Sequence, residues 1–535
     1  MSKEAYGDFE LRGRRRIFTD VDEINDSNVI KVLQDAMLIH EQNKSQSSFL
    51  LKYEKGFQPL KRDKNIRKDI DVKVCDNVAN EVTEFKLGYF WGNPIMFVQR
   101  ADKDINGNSA NEDDKAVSML NEMLEDEFMP EKDQELGRFV EITGVGYQMV
   151  DIKNDYEGGS VFDCVTLNPL YTFVVHDNSP YHRPMMGVTY RTLDNGNTYY
   201  TCITKDRRYE IVNQIREVDG KKEKVYGHRK RSGEKNPIGR VPIVEFIRSH
   251  DRMGCFERQI SEMDNLNILV SDFTNNVSQD TQAIWWGNDW EFPEDPETGE
   301  KIKPSSNQWI MTQSGEGKNP KIQPLVIQTQ YDGILNDISY RRDAILQKCH
   351  VPLRSETGSG STGTATSMSS GWHDAEVDAC RQEQIEKRGK MELLKVILEA
   401  IKNSPDTEAD SPLLELNVSD VKPKFTRNKT YDMATKANAF ATWIAHGIHG
   451  RHALQQVDAF PDTNLVWEDS KELIEKYQDS IFNKQTTSDS SPVNDQQEEK
   501  KMMSDLSDQT GNSPILDGMN TEDASGESGG DENVQ

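Results

Sequence analysis

The sequence predicts an α+β chain built from more than one packing unit, and three observations carry that expectation. Its 535 residues exceed what one simple core accommodates. Between about Val140 and Arg248, apolar and polar residues alternate in short runs cut by Gly, Asn and Asp, the period of half-buried strands. On either side, apolar residues recur in steps of three and four, the period of helices with one buried face.

Taken in order, Asn25 to Tyr53 reads as a helix, with Asn or Ser available as a cap and Gly56 beyond its end. CDNVANEVTEFKLGYF reads as a second helix and GNPIMFVQ as a strand. The polar loop DKDINGNSANEDDK leads to a helix through AVSMLNEMLEDEFM. VGYQMVDI, DCVTLNPLYTFVVHD, MMGVTYRTL, NTYYTCITK and VPIVEFI then read as strands. Met263, Leu266, Val270, Phe273 and Val277 form one apolar stripe on a helix of about 26 residues, some 39 Å at about 1.5 Å per residue. A second stripe at Leu335, Ile338, Ile345 and Cys349 ends at Val351-Pro352. These helices bracket an insert, roughly 284–330, with Trp285, Trp286, Trp290 and Trp309 and the strand-like QWIMTQ and IQPLVIQ. It is expected to be a small β-rich module at the end of a helical hairpin. After an uncharged Gly, Ser and Thr stretch comes WHDAEVDACRQEQIEKRGKMELLKVILEAIKN, a long helix with a polar first half, an apolar stripe at Met391, Leu394, Leu398 and Ile401, and Gly389 as a candidate bend. Shorter helices follow. From about Lys484 the chain has 12 acidic and 3 basic residues with almost no aromatics, and is expected to be disordered.

Composition narrows the function. The formal net charge is −27, which opposes spontaneous binding to nucleic acid. No apolar run approaches the ~20 residues that span a bilayer, and the first residues hold no signal-peptide core, so no membrane partner is expected and a cytosolic setting is. Six scattered cysteines form no CxxC pair and are read as small buried apolar residues.

Chemical motifs are weak. Gly358, Gly360 and Gly363 spell GxGxxG, but a helix rather than a strand precedes them, and no cofactor is expected. Asp102, Asp104, Asn106, Gly107 and Asp113 match five positions of a calcium loop. Ser109 at the eighth position, a preceding strand and Asp in place of the bidentate Glu favour a polar turn instead, so no metal is assigned. His446, His449 and His452 are separated by helix-breaking glycines and read as exposed or capping residues. No GxxxxGK[ST], HExxH or GxSxG occurs, and no catalytic residue is assigned. The basic runs Arg12–Arg16, Lys61–Lys68 and 227–235 read as solvated faces or subunit contacts.

NVANEVTEFKLGYFWGNPIMF (Asn77 to Phe97), TLNPLYTFVVHD, GRVPIVEFIRS and DNLNILVSDFTNNVSQD, in that order and followed by helix, insert, helix, loop and long helix, resemble the portal proteins of tailed double-stranded DNA bacteriophages, the type found in phages of Gram-positive bacteria. The resemblance covers roughly residues 26–480. It implies a portal-like fold: an α/β wing over 1–255 with an N-terminal arm to about 25, a stem of helices 256–283 and 331–352, a clip over 284–330, a tunnel loop over 353–371, a long tunnel helix over 372–403, a helical crown over 404–483 and an acidic tail over 484–535. It also implies a non-enzymatic ring of twelve subunits at one capsid vertex, serving DNA packaging and ejection. The implied partners are a terminase motor, a head-tail adaptor, major capsid and scaffolding proteins, and duplex DNA passing without sequence specificity. The setting is the virion, and the host cytoplasm during assembly. A metal-dependent nucleic-acid enzyme and a non-pore scaffolding or adaptor protein are the alternatives.

Under that resemblance the neutral stretch acquires a role. Arg354 and Glu356 are the last charges before Asp374. A loop against moving DNA should neither grip phosphates through counterion release nor repel them, and hydroxyls and backbone amides touch them weakly. Thr357, Gly358, Ser359, Gly360, Ser361, Thr362, Gly363, Thr364, Thr366 and Ser367 are therefore expected to face DNA. Trp285, Trp286, Trp290 and Trp309 are read as subunit anchors or docking contacts for motor or adaptor, with burial inside the insert as the alternative.

Overall fold

A computed structural model describes residues 13–60, 71–100, 110–154, 156, 158–218, 221–229, 233–281, 284–292, 294, 296, 309–313, 317, 319–325, 331–353, 371–427, 433–457, 466–467 and 470–476. The elements run β1 (Ile17–Thr19), α1 (Val29–Glu54), α2 (Val78–Phe90), β2 (Met96–Gln99), α3 (Ala110–Asp126), α4 (Met129–Thr143), β3 (Val145–Ile152), β4 (Phe162–Leu167) and β5 (Thr172–Asp177). β6 (Pro184–Thr192), β7 (Thr198–Thr204), β8 (Arg207–Val218), β9 (Lys221–His228), β10 (Glu234–Lys235), β11 (Ile243–Ile247) and α5 (Ile260–Thr281) follow. Then come β12 (Ile284–Asn288), β13 (Trp309–Thr312), β14 (Lys321–Leu325), α6 (Tyr331–Lys348), α7 (Trp372–Asn403), β15 (Val421–Lys424), α8 (Met433–Ala445) and α9 (Gly450–Val457). The chain divides into two compact units, residues 1–430 and 431–535.

In the first unit, one sheet has the order β1-β5-β6-β7-β8-β10, with β9 also paired to β8. Strand period two sends Met186, Val188, Tyr190, Tyr200, Cys202, Tyr209 and Ile211 to one face. There they meet Val29, Val32, Leu33, Ala36 and Met37 of α1, the matching helical stripe. The second sheet, β11-β3-β4, is covered by α4 and α7, which contribute Leu136, Val140, Leu393, Leu394, Ile397 and Ile401 to its core. Each fully buried Leu or Phe in such a core contributes about 1.5–3 kcal/mol. Val145, Tyr147, Val174 and Ile243 form a smaller cluster drawn from both sheets. Residues 404–427 stay with this unit, because β15 pairs with β2.

Several expectations needed adjustment. The β8–β9 hairpin and helix α4 went unassigned, and the single strand expected at DCVTLNPLYTFVVHD is two, β4 and β5, joined by a turn. α4 ends at Gly144 with φ +79°, where an added Cβ would lie 2.5 Å from the Arg252 carbonyl oxygen, so the site needs glycine for both conformation and space. α7 runs unbroken through Gly389. That residue packs under the Phe246 ring, where a Cβ would lie 2.5 Å from the ring, so it serves close approach rather than a bend. Cys164, Cys202 and Cys349 are buried as expected and Cys255 is half-buried, but Cys75 and Cys380 are exposed.

In the second unit, α8 and α9 pack together, and the exposed His449 ring nitrogen accepts the Arg451 backbone N–H at 3.3 Å at the start of α9, within the exposed-or-capping reading of these histidines. The acidic segment from Lys484 lies outside the described residues.

Candidate functional site

The insert lies between α5 and α6, and the neutral loop between α6 and α7. At the root of the α5–α6 pair, Ile260, Met263 and Leu266 of α5 meet Ile345 and Leu346 of α6, Cys349 and Val351, together with Leu50 and Tyr53 of α1 and Val78 and Val82 of α2. Further along, the two stripes leave the core. Val270 and Ile338 are only partly buried, Phe273 meets the Tyr331 ring at 5.8 Å, and Val277 and Leu335 are 41% and 45% exposed.

A different face of α5 holds a polar ladder. Asn267, Ser271 and Asn275 accept the backbone N–H groups of Asp76 at 2.8 Å, Val74 at 3.0 Å and Val72 at 2.8 Å, and Asn275 returns a bond to the Val72 carbonyl at 2.9 Å. Four helical residues rise about 6.0 Å and two extended residues about 6.6 Å, so the two repeats match over three rungs. The side chains replace a neighbouring strand for residues 71–76.

At the far end of α5 and α6, β12 is the central strand of a three-stranded sheet, parallel to β13 and antiparallel to β14. Trp285 is half-buried and stands opposite Trp309 in the register. Trp286 Nε1 donates to Thr312 Oγ1 at 3.0 Å, and Trp290 packs edge-on to Phe292 at 5.0 Å. Ile310, Met311 and Ile322 on the outer strands are 42–45% exposed.

The loop itself, residues 354–370 with Thr357 to Ser367, lies outside the described residues, but its two feet are defined. A Cβ on Gly371 would lie 3.7 Å from Pro352 Cα, so the chain leaves and re-enters at one place. One buried lysine of α2 holds both sides: Lys86 Nζ donates to the His350 carbonyl at 3.3 Å and to Asp378 Oδ2 at 2.7 Å. Trp372 at the start of α7 lies 6.0 and 5.9 Å from the Phe85 and Tyr89 rings, and the Tyr89 hydroxyl donates to Glu376 at 2.6 Å. Arg427 donates to Glu376 at 2.9 Å and to Glu383. Arg248 bridges Asp378 at 2.9 Å and Glu141 of α4 at 2.8 Å. Burial pushes the Asp378 carboxyl up, but Arg248 and Lys86 more than offset it and hold it below the usual carboxylate range.

The basic run at Arg12–Arg16 is partly structural rather than a solvated face. Arg14 is 2% exposed, paired with Glu257 at 2.5 Å and donating to the Thr143 carbonyl at 3.1 Å, so the N-terminal segment is stitched to the turn that precedes α5 and to the end of α4. The calcium-loop candidates Asp102, Asp104 and Asn106 lie outside the described residues, and Asp113 falls on α3. Among the described residues no group of three or more His, Cys, Asp or Glu is placed to hold a metal ion, and no helix is long and apolar enough to cross a membrane. Sequence reading missed Lys86, Arg248 and the α5 ladder. The ladder left a signal in the four-residue spacing of Asn267, Ser271 and Asn275; the clamp left none, since its partners lie up to 292 residues apart.

The sequence model of the family described as "Phage portal protein, SPP1 Gp6-like" matches residues 38–481. No curated protein matches the chain. Among solved structures, the chain is similar to one from the "Neck of empty GTA particle computed with C6 symmetry", at 11% identity, covering 72% of this chain and 91% of that one with a TM-score of 0.37. A likeness that distant bears on neither fold nor function.

Proposed function

The chain belongs to the phage portal protein family of the SPP1 Gp6-like type, and from that membership we propose that it closes into a ring at one capsid vertex through which double-stranded DNA is packaged and ejected. The ring is a head-to-tail assembly that closes on itself, with twelve copies in the virion and formed in the host cytoplasm. In this reading residues 1–255 are the wing, α5 and α6 the stem, the β12–β14 sheet the clip, residues 353–371 the tunnel loop, α7 the helix behind it and residues 404–483 the crown, less 404–427, which the β15–β2 pairing joins to the wing.

One observation supports the ring above the others. The apolar stripes of α5 and α6 are buried at their root and half-exposed toward the clip, with Val277 and Leu335 left 41% and 45% open to solvent. A neighbouring copy on each side is the surface that would complete their burial. The clip, with Trp285, Trp286, Trp290 and Trp309, is the docking platform for motor and adaptor. The loop, pinned at Lys86, is the uncharged collar around the duplex. No reaction is assigned to the protein.

Negative-stain images of the purified protein test the reading. Rings with a central hole are expected for the wild type, and monomers with an unchanged circular-dichroism spectrum for Leu335→Glu. Solid particles or persistent monomers of the wild type, or intact rings of the variant, count against it.

A further inference from the structure

α7 carries a line of polar side chains at every fourth residue, Asp378, Gln382, Glu386 and Lys390, which therefore share one face. Three of them are tied to other elements. Asp378 meets Lys86 and Arg248; Gln382 donates to Glu141 of α4 at 2.5 Å; Lys390 donates to Asp133 of α4 at 2.5 Å and to Gln148 of β3 at 3.4 Å. Glu386 is the exception. It is 1% exposed, and neither of its carboxylate oxygens has a hydrogen-bond partner.

The charged groups that reach Glu386 are Lys390 on its own helix and Glu141 and Asp133 on α4. From β3, the neutral Gln148 bridges Asp133 and Lys390; after β11, Arg248 is bonded to Glu141; on β11 itself, the Phe246 ring lies 5.3 Å from Lys390 Nζ. Lys86, Arg248 and Lys390 are matched by Asp378, Glu141 and Asp133, so the seam balances only while Glu386 is neutral. Burial pushes the Glu386 carboxyl well above its ordinary value of 4.5; Lys390 opposes the rise, and Glu141 and Asp133 add to it.

An ionised Glu386 stands four residues before Lys390, the orientation in which a Glu–Lys pair closes along one helix. Lys390 then has two discrete partners, one on another element and one on its own. We propose that Glu386 and Lys390 form a proton-dependent catch: with Glu386 neutral, Lys390 pins α7 to α4 and β3, and with Glu386 ionised, Lys390 turns back along α7 and frees the helix from both. Gly389, a poor helix former, sits at the same rung and makes local release cheaper. The catch concerns the seat of α7 and holds whether or not the loop before it meets DNA.

The sign follows from linkage. An unfolded glutamate ionises near 4.5 while the folded one keeps its proton, so the folded state binds more protons and stability falls as pH rises from there through the folded value. Infrared spectra of the purified full chain at about pH 6 and pH 10 test this. Asp264 of α5, a second carboxyl lifted by burial, gives a protonated-carboxyl C=O band in wild type and Glu386→Gln alike at about pH 6; a further band that fades as pH rises is expected in the wild type minus Glu386→Gln difference spectrum. Hydrogen exchange across residues 386–394, corrected for the intrinsic pH dependence, is expected to accelerate roughly tenfold over that range in the wild type and to stay flat in Glu386→Gln. Lys390→Met is expected to show the fast exchange at both values. Absence of any such band at about pH 6 in the wild type overturns the catch even if neither variant folds, and so does absence of the further band from the difference spectrum or an equal pH response in wild type and Glu386→Gln.

Discussion

Asp264 lies on α5 with the Tyr53 hydroxyl donating to its Oδ1 at 2.8 Å, and burial lifts its carboxyl from 3.8 to about 7. The folded state therefore keeps a proton that the unfolded chain has lost, and stability contributed below pH 3.8 is lost as pH rises through about 7. Asp264→Asn removes the penalty, since an amide still accepts from Tyr53. At about pH 8 the first thermal transition should rise by about 2–4 °C, a value already discounted for the group's partial exposure. Calorimetry from acid to alkaline pH checks it: the gain should vanish at the acid end. A second residue-scale prediction concerns Arg14 and Glu257, whose side chains are 1% and 0% exposed. Arg14→Leu strands a buried carboxylate and should cost about 3–5 kcal/mol in denaturant titration. Adding Glu257→Leu should recover much of that, because the loss lies in the unpaired charge rather than in the pair.

At the scale of elements, the α5 ladder ties an extended segment to a helix without using any of that segment's side chains. Ser271→Ala removes one rung and leaves the Val74 N–H without its acceptor, at about 1–3 kcal/mol. Amide exchange at Val72, Val74 and Asp76 should rise together, because rungs on one extended segment open cooperatively, while exchange within α5 itself stays unchanged. How far such elements were legible depended on where their partners lie. Period two exposed β3, β6, β7 and β11, and steps of three and four exposed α5 and α6, because each pattern is complete within one segment. β8 and β9 were missed because EIVNQIREV breaks the period of two, with apolar residues at 211, 212, 215 and 218, and because their stretch is charged and lacks the apolar density of its neighbours. Gly389 was misassigned for a related reason: a glycine inside a helix looks the same in sequence whether it bends the backbone or lets Phe246 approach. The loop was legible as a neutral stretch, yet the clamp at its feet was not. Lys86 meets Asp378 and His350 only through tertiary packing, and Arg14 became structural only once Glu257 was brought beside it.

Across the whole molecule, charge and copy number act together. Each chain carries a net −27, of which the acidic segment from Lys484 supplies −9, so its surface disfavours DNA wherever the two are in contact. In the proposed ring any substitution is repeated around the axis, and a single weak phosphate contact becomes a belt of them. Ser361→Lys with Thr364→Lys adds two cations per copy at the collar. Every phosphate those cations neutralise adds about 0.9 to the slope of log affinity against log salt, which converts a sliding contact into a gripping one. Purified variant rings should therefore retain duplex DNA at low salt and release it steeply as salt rises, whereas wild-type rings should retain none. In a packaging assay the variants should slow or stall before a full genome length is reached. Lys86→Met, which removes the one side chain tying the two feet of the loop to each other while leaving the loop's charge unchanged, should alter packaging without any gain in DNA retention. Packaging at the wild-type rate by the double-lysine rings, with no retained DNA, would mean that the neutral stretch does not face the duplex, and the collar would have to be sought on another element.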